Sequence, residues 1–101
     1  MQVKFSKGFQ KEYLKQSGKV QKSLLKALEE VIQAKIPEDI SDCKKLSGLK
    51  NIYRIRIGGL RAFFVFHIVM ENGYAYFVAL LRRGHAYDKK SMKKLRGSDF
   101  D

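Results

Sequence analysis

Between Val20 and Ile32 apolar residues recur at helical spacing, through Leu24, Leu25, Leu28 and Val31, and Pro37 closes the segment. That period predicts an amphipathic helix ending near Lys35. Upstream, Gln2 to Phe5 alternates and reads as a short strand, Ser6 is placed to cap a helix from about Lys7 to Gln16, and Ser17-Gly18 breaks it. The first helix is expected to turn Phe9, Tyr13 and Leu14 inward. Residues 36–48 read as a connection with an extended piece at Cys43 to Leu46. Beyond it the period falls to two. Strands are expected at about Asn51 to Ile57, Leu60 to Met70 and Tyr74 to Leu81, joined through Gly58-Gly59 and Asn72-Gly73, both good two-residue hairpin loops. From Gly84 the chain becomes polar and basic, predicting a short helix that ends near Arg96.

Counting outward from the turns assigns faces. Arg54 and Arg56 point to one side of their strand, and Tyr53, Ile55 and Ile57 to the other. A Gly58-Gly59 loop puts Ile57 opposite Leu60 and Arg56 opposite Arg61, so the arginines at 54, 56 and 61 converge. Like charges directly across a strand pair are destabilising, which an anionic ligand would offset. An Asn72-Gly73 loop would put His67 opposite Val78 and Phe63 opposite Arg82, adding Arg82 to the arginine face. Tyr53, Ile55, Ile57, Leu60, Ala62, Phe64, Phe66, Ile68, Phe77, Ala79 and Leu81 would then form an apolar layer under the two helices. On the arginine side Val65, Val69, Val78 and Leu80 also need cover, from the C-terminal segment or another chain. The expected architecture is α+β: a short N-terminal strand and helical hairpin packed on an antiparallel sheet of about four strands, with a short C-terminal helix. It fits one domain over residues 1–101.

Charge changes what this architecture is for. The formal net charge is +11 and the pI about 9.9, which favours a polyanionic partner, with nucleic acid leading. All six arginines lie in the second half, whereas eleven of fifteen lysines lie at or before Lys50. Arginine binds phosphate in a bidentate fork and lysine suits a solvated surface, so the functional face belongs to the second half. Cys43 is the lone cysteine, and two histidines eighteen residues apart form no metal motif. No metal or cofactor is expected. No segment reads as a secretion signal or a membrane span, and a reducing cytoplasm fits best.

The element order, together with Leu46, Gly48, Tyr53-Arg54-Ile55-Arg56, Arg61, Arg82 or Arg83, and Tyr87, resembles the RelE/ParE superfamily of bacterial and archaeal toxins. The resemblance covers most of the chain. It implies the toxin of a type II toxin–antitoxin system: a metal-independent, ribosome-dependent mRNA endoribonuclease that inhibits translation. An acidic antitoxin would neutralise it in a hetero-oligomer, and its other partners would be the ribosome and mRNA. Carried over by position, the catalytic set is Arg54, Arg56, Arg61, Arg82 or Arg83, and Tyr87; His85 joins it as a candidate from its own chemistry, and Arg83, Lys89, Lys90 and Lys93 are expected to bind RNA. Positions 54 and 56, often lysine in RelE itself, are arginine here, and a guanidinium stays protonated, so proton transfer moves elsewhere. Clustered cations lower the pKa of a nearby phenol or imidazole, which makes Tyr87 or His85 the candidate base. Strand parity prefers Arg82 as the fourth arginine and family spacing allows Arg83. Two other readings share these residues: a ParE-like poison of DNA gyrase, and a nonenzymatic basic domain that binds RNA or the ribosome.

Overall fold

In the computed structural model, which describes residues 1–69, 72–85 and 88–98, the chain runs β1 (Gln2–Phe5), α1 (Lys7–Leu14), α2 (Gly18–Gln33), β2 (Cys43–Lys45), β3 (Ile52–Ile57), β4 (Leu60–Val69), β5 (Asn72–Arg82) and α3 (Lys89–Ser98). Short 3₁₀ turns at Pro37–Asp39 and Arg83–His85 join the elements around them. The α+β architecture is the expected one. The sheet has five strands in the order β1-β5-β4-β3-β2, and β1 enters it parallel to β5 while the other pairings are antiparallel.

Both serine caps form as their local chemistry dictates. Ser6 Oγ accepts the Phe9 amide at 3.0 Å and Ser17 Oγ accepts the Val20 amide at 3.3 Å, each supplying an acceptor to a donor the first helical turn leaves open. From α2, Leu24, Leu28 and Val31 enter the core, joined by Phe9 of α1 and by Ile55, Leu60, Ala62, Phe64, Ala75, Phe77 and Leu80 of the sheet. Burying each large side chain of this set contributes about 1.5–3 kcal/mol. Leu14 and Leu25 are instead 73% and 49% exposed, lining an apolar groove between α1 and α2 with Phe5, Tyr13 and Leu28.

The opposite side of the sheet carries a second core. Ile52, Phe63, Val65, Val78 and Ala79 pack there against Leu95 of α3, with Met92, Tyr76 and Leu81 at its margin. The C-terminal helix therefore covers the apolar part of the arginine-bearing face.

One strand pairing departs from the expected register. Ile57 does lie opposite Leu60 and Arg56 opposite Arg61, around a turn in which Gly58 takes φ +57°, a conformation open to glycine. The β4–β5 hairpin does not turn at Asn72-Gly73. Those residues lie within β5, with Val69 opposite Asn72, Ile68 opposite Gly73 and His67 opposite Tyr74; residues 70 and 71 are outside the described set. Gly73 is needed for another reason. A Cβ there would lie 2.7 Å from Phe66 Cε1, so the bare backbone makes room for the Phe66 ring.

A bulge then resets the alternation. Phe64 pairs with Phe77 and Phe63 with Ala79, so Val78 is the extra residue. Ser6 Oγ donates to the Val78 carbonyl at 3.3 Å, giving that group a partner off the ladder. Past the bulge every residue of β5 faces opposite to expectation: Leu80 joins the helix-side core, while Ala79 and Leu81 join the α3 side.

Candidate functional site: a cationic face on β2, β3 and β4

Arg54, Arg56 and Arg61 share the face that carries Phe63 and Val65, as hairpin counting from Gly58-Gly59 expects. The two arginines placed directly across from each other are held apart by different partners. Arg56 NH2 leans toward Asp42 Oδ1, 3.7 Å away, and the Arg56 amide donates to the Asp42 carbonyl at 3.1 Å. Both side chains of that pair are more than half exposed, so its Coulombic gain is small. Arg61 folds back over the turn it follows. Its NH1 donates to the carbonyls of Gly58 and Leu60, each at 2.9 Å, and the residue is only 6% exposed. Arg61 thus serves as an internal clamp on the hairpin as well as a fixed positive charge beneath the face.

A fourth cation stands in this row, and the sequence pattern alone did not single it out. β2 pairs antiparallel with β3, placing Lys44 directly opposite Arg54. Leu46, two residues on, enters the α3-side core, so Lys44 lies on the arginine side, and it is exposed. The signal was the alternation Lys44, Leu46, but a three-residue strand is too short for periodicity to reveal.

Of the remaining expected residues, Arg82 and Arg83 lie at the Gly58–Gly59 end of the sheet and His85 lines the adjoining groove. Arg82 is not opposite Phe63. It lies opposite Leu60, on the helix-side parity, because the Val78 bulge shifts the alternation by one. Leu81 is the cross-strand neighbour of Arg61. Arg83 stays close to the turn, its amide donating to the Gly59 carbonyl at 2.9 Å. Arg82 and Arg83 line one groove with Val20, Ser23 and the turn glycines. His85 follows them and lines a neighbouring groove with Lys11, Lys15, Arg82 and Lys94. Its Nδ1 lies 3.9 Å from Asp88 Oδ2, both exposed. Asp88 caps α3 by accepting the Ser91 amide at 2.8 Å, and that hydrogen bond, more than the adjacent imidazole, holds its carboxyl below the ordinary aspartate range. Lys89, Lys90 and Lys93 are exposed on α3. Tyr87 lies outside the described residues.

On the helix side of the same strands Cys43 sits opposite Ile55. Burial, reinforced by the negative charge of Glu38, pushes its thiol up to about 12 against the opposing pull of Arg54. The Tyr53 phenol moves the same way, first through burial and then through Glu38, whose Oε2 accepts its hydroxyl at 3.3 Å. Neither group is poised to lose a proton near neutrality. Among the described residues no group of histidine, cysteine or acidic side chains is arranged to hold a metal ion, and no helix is long and apolar enough to cross a membrane.

No family model and no curated protein sequence matches the chain. Solved structures do. The toxin–antitoxin complex RelB-RelE of Methanococcus jannaschii contains a chain 28% identical to this one, with a TM-score of 0.66 over 85% of this chain and 96% of that one. The archaeal RelE-RelB complex of Pyrococcus horikoshii OT3 aligns at 22% identity and a TM-score of 0.67, covering 84% and 97%. The isolated RelE toxin of E. coli aligns at 22% identity and 0.62, covering 93% and 97%. A mixed sheet with a helical hairpin on one face and a short helix on the other places the chain in the α+β class of fold. Within it, this chain has the RelE-like toxin fold.

Proposed function

We propose that this protein is the toxin of a type II toxin–antitoxin pair and that it cuts messenger RNA on the ribosome without a metal. The observation that carries the reading is the row of cations across β2, β3 and β4. Lys44 lies opposite Arg54, and Arg56 lies opposite Arg61. Four positive groups so placed repel one another across the strands, which the exposed Asp42 beside Arg56 offsets only in part, and a phosphodiester is the anion whose geometry the arginine fork fits.

Cleavage would use the substrate's own 2′-hydroxyl. Its oxygen attacks the adjacent phosphorus as its proton leaves, the bond from phosphorus to the 5′ oxygen breaks, and that oxygen takes up a proton. The products are a 2′,3′-cyclic phosphate and a 5′-hydroxyl. Arg54, Arg56 and Lys44 would hold the non-bridging oxygens and stabilise the charge that grows on them, with Arg61 adding a fixed positive charge from below. Guanidinium groups do not exchange protons near neutrality, so the two transfers fall to Tyr87 or to His85, whose Nδ1 lies 3.9 Å from Asp88 Oδ2. Arg82, Arg83, Lys89, Lys90 and Lys93 would contact flanking RNA. The natural inhibitor would be an acidic protein, matching the net charge of +11, as the RelE chains of the M. jannaschii and P. horikoshii complexes pair with RelB.

Purified protein added to a translating extract tests this. Cuts in mRNA at positions set by codon register are expected. DNA breaks linked to gyrase would move the protein to the ParE-like reading, and binding with neither kind of break would reduce it to a basic ribosome-binding domain.

A further inference from the structure

At the end of the sheet away from the Gly58–Gly59 turn, on the side that carries the arginines, three side chains form a stack. His67 of β4 lies opposite Tyr74 of β5, with ring centroids 4.9 Å apart and planes 19° from parallel. Lys4 of the edge strand β1 places its Nζ 4.6 Å from the Tyr74 ring centroid. The alternation confirms the face. Val3 and Phe5 pack with the helix-side core, so Lys4 turns the other way, and Tyr76 joins the α3-side core. His67 and Tyr74 belong to neither core; both are half-buried and Lys4 is exposed.

We infer that Lys4, His67 and Tyr74 form a second subsite that takes an unpaired base of single-stranded RNA and its flanking phosphate, extending the cationic face. The inference rests on the RNA reading above and adds to it the direction in which the strand leaves the arginines. Six residues of β4 separate Arg61 from His67, roughly 20 Å at strand rise, so one RNA segment of several nucleotides would reach both. Between them runs α3, whose Lys89, Lys90 and Lys93 are exposed.

The energetics favour exchange of the lysine for a base. A base stacked on an aromatic side chain is held more strongly than a solvent-exposed ammonium over the same ring. Lys4 has a flexible stem, so on displacement its charge remains beside the incoming nucleotide and can meet the phosphate. A cross-strand aromatic pair that served only to hold the hairpin would need no cation at its open side. The protein's excess positive charge selects a polyanion over a neutral aromatic peptide.

The test uses fluorescence anisotropy with 2′-O-methyl oligonucleotides, which cannot be cut, of about four and about twelve nucleotides, lengths that bracket single-strand sites. The parent protein is expected to bind the longer one at least tenfold more tightly. Tyr74→Leu should lose that gain and leave short-oligonucleotide affinity unchanged, while Tyr74→Phe keeps it. Lys4→Gln should lower the salt dependence of the longer complex by about one unit of slope. Urea unfolding of each variant separates a lost subsite from a lost fold, and His67→Ala supplies a second probe if Tyr74→Leu unfolds. A folded Tyr74→Leu protein that retains the length preference overturns the inference, as does equal preference for an abasic twelve-mer. Binding of the short oligonucleotide without any length gain in the parent overturns this subsite alone. Failure to bind either length overturns the RNA reading with it.

Discussion

Replacing Arg61 by alanine separates the two roles the structure assigns to it. The side chain is 6% exposed and its NH1 donates to two carbonyls of the β3–β4 hairpin, at 2.9 Å each. Hydrogen bonds from a charged donor contribute about 1.5–3 kcal/mol apiece. The Gly58 carbonyl is only partly buried and can recover water, and removing the guanidinium also relieves its own desolvation and its opposition to Arg56. The net cost of Arg61→Ala is therefore about 2–4 kcal/mol, nearer one full charged hydrogen bond than two. For a domain of this size that lowers the melting temperature by roughly 8–32 °C, at 4–8 °C per kcal/mol. Circular dichroism at 222 nm gives the melt, and the translating extract, run at 25 °C where the variant is still folded, gives the cleavage rate. Arg61→Lys should recover part of the stability, since an ammonium keeps the charge but cannot reproduce the fork. A melting temperature within about 3 °C of the parent refutes the clamp, since a shift that small is under 1 kcal/mol. Full cleavage by a folded Arg61→Ala protein refutes the site.

Three further outcomes follow from the same contacts. Gly73→Ala should cost about 1–3 kcal/mol through overpacking against Phe66, and Phe66→Leu in the same chain should return much of it; strictly additive urea midpoints would sink that pairing. Lys44→Gln should leave the melting temperature within the range of an exposed change, about 0.5 kcal/mol, while slowing cleavage severalfold; an unchanged rate would remove Lys44 from the site. The Cys43 thiol, pushed up to about 12, should alkylate slowly at pH 8 in the folded protein and rapidly in urea. Because its folded value lies above the unfolded one of 9.0, the neutral thiol favours the fold below pH 9, and that contribution is lost as pH rises toward 12. Stability that stays flat over that range would contradict the burial argument.

Particular residues show where local pattern sufficed. The helical period over Val20–Ile32, the serine caps and the Gly58–Gly59 turn are set by chemistry within a few residues of chain. They determined α1, α2 and the β3–β4 register, and with it the shared face of Arg54, Arg56 and Arg61. Asn72-Gly73 misled because two demands produce the same glycine: a positive-φ turn, or a ring lying against bare backbone. Only the Phe66 contact distinguishes them. The register counted from that false turn put Arg82 across from Phe63, and the Val78 bulge, which no local pattern marks, turned Arg82 to the other face.

By itself, then, the sequence determined the classes of element, the strongly cationic character and three arginines on one face, since each depends on period, composition or a single tight turn. The tertiary structure decided the rest. It put β1 beside β5, brought Lys44 opposite Arg54 from a strand too short to read, folded Arg61 onto its own hairpin, and placed the bulge at Val78, where the Ser6 hydroxyl, 72 residues away in the chain, meets the displaced carbonyl. The β1–β5 pairing and the Ser6 contact at the bulge depend on groups meeting far along the chain, and the Arg61 contacts, though local, depend on the closed hairpin; side-chain pattern encodes neither.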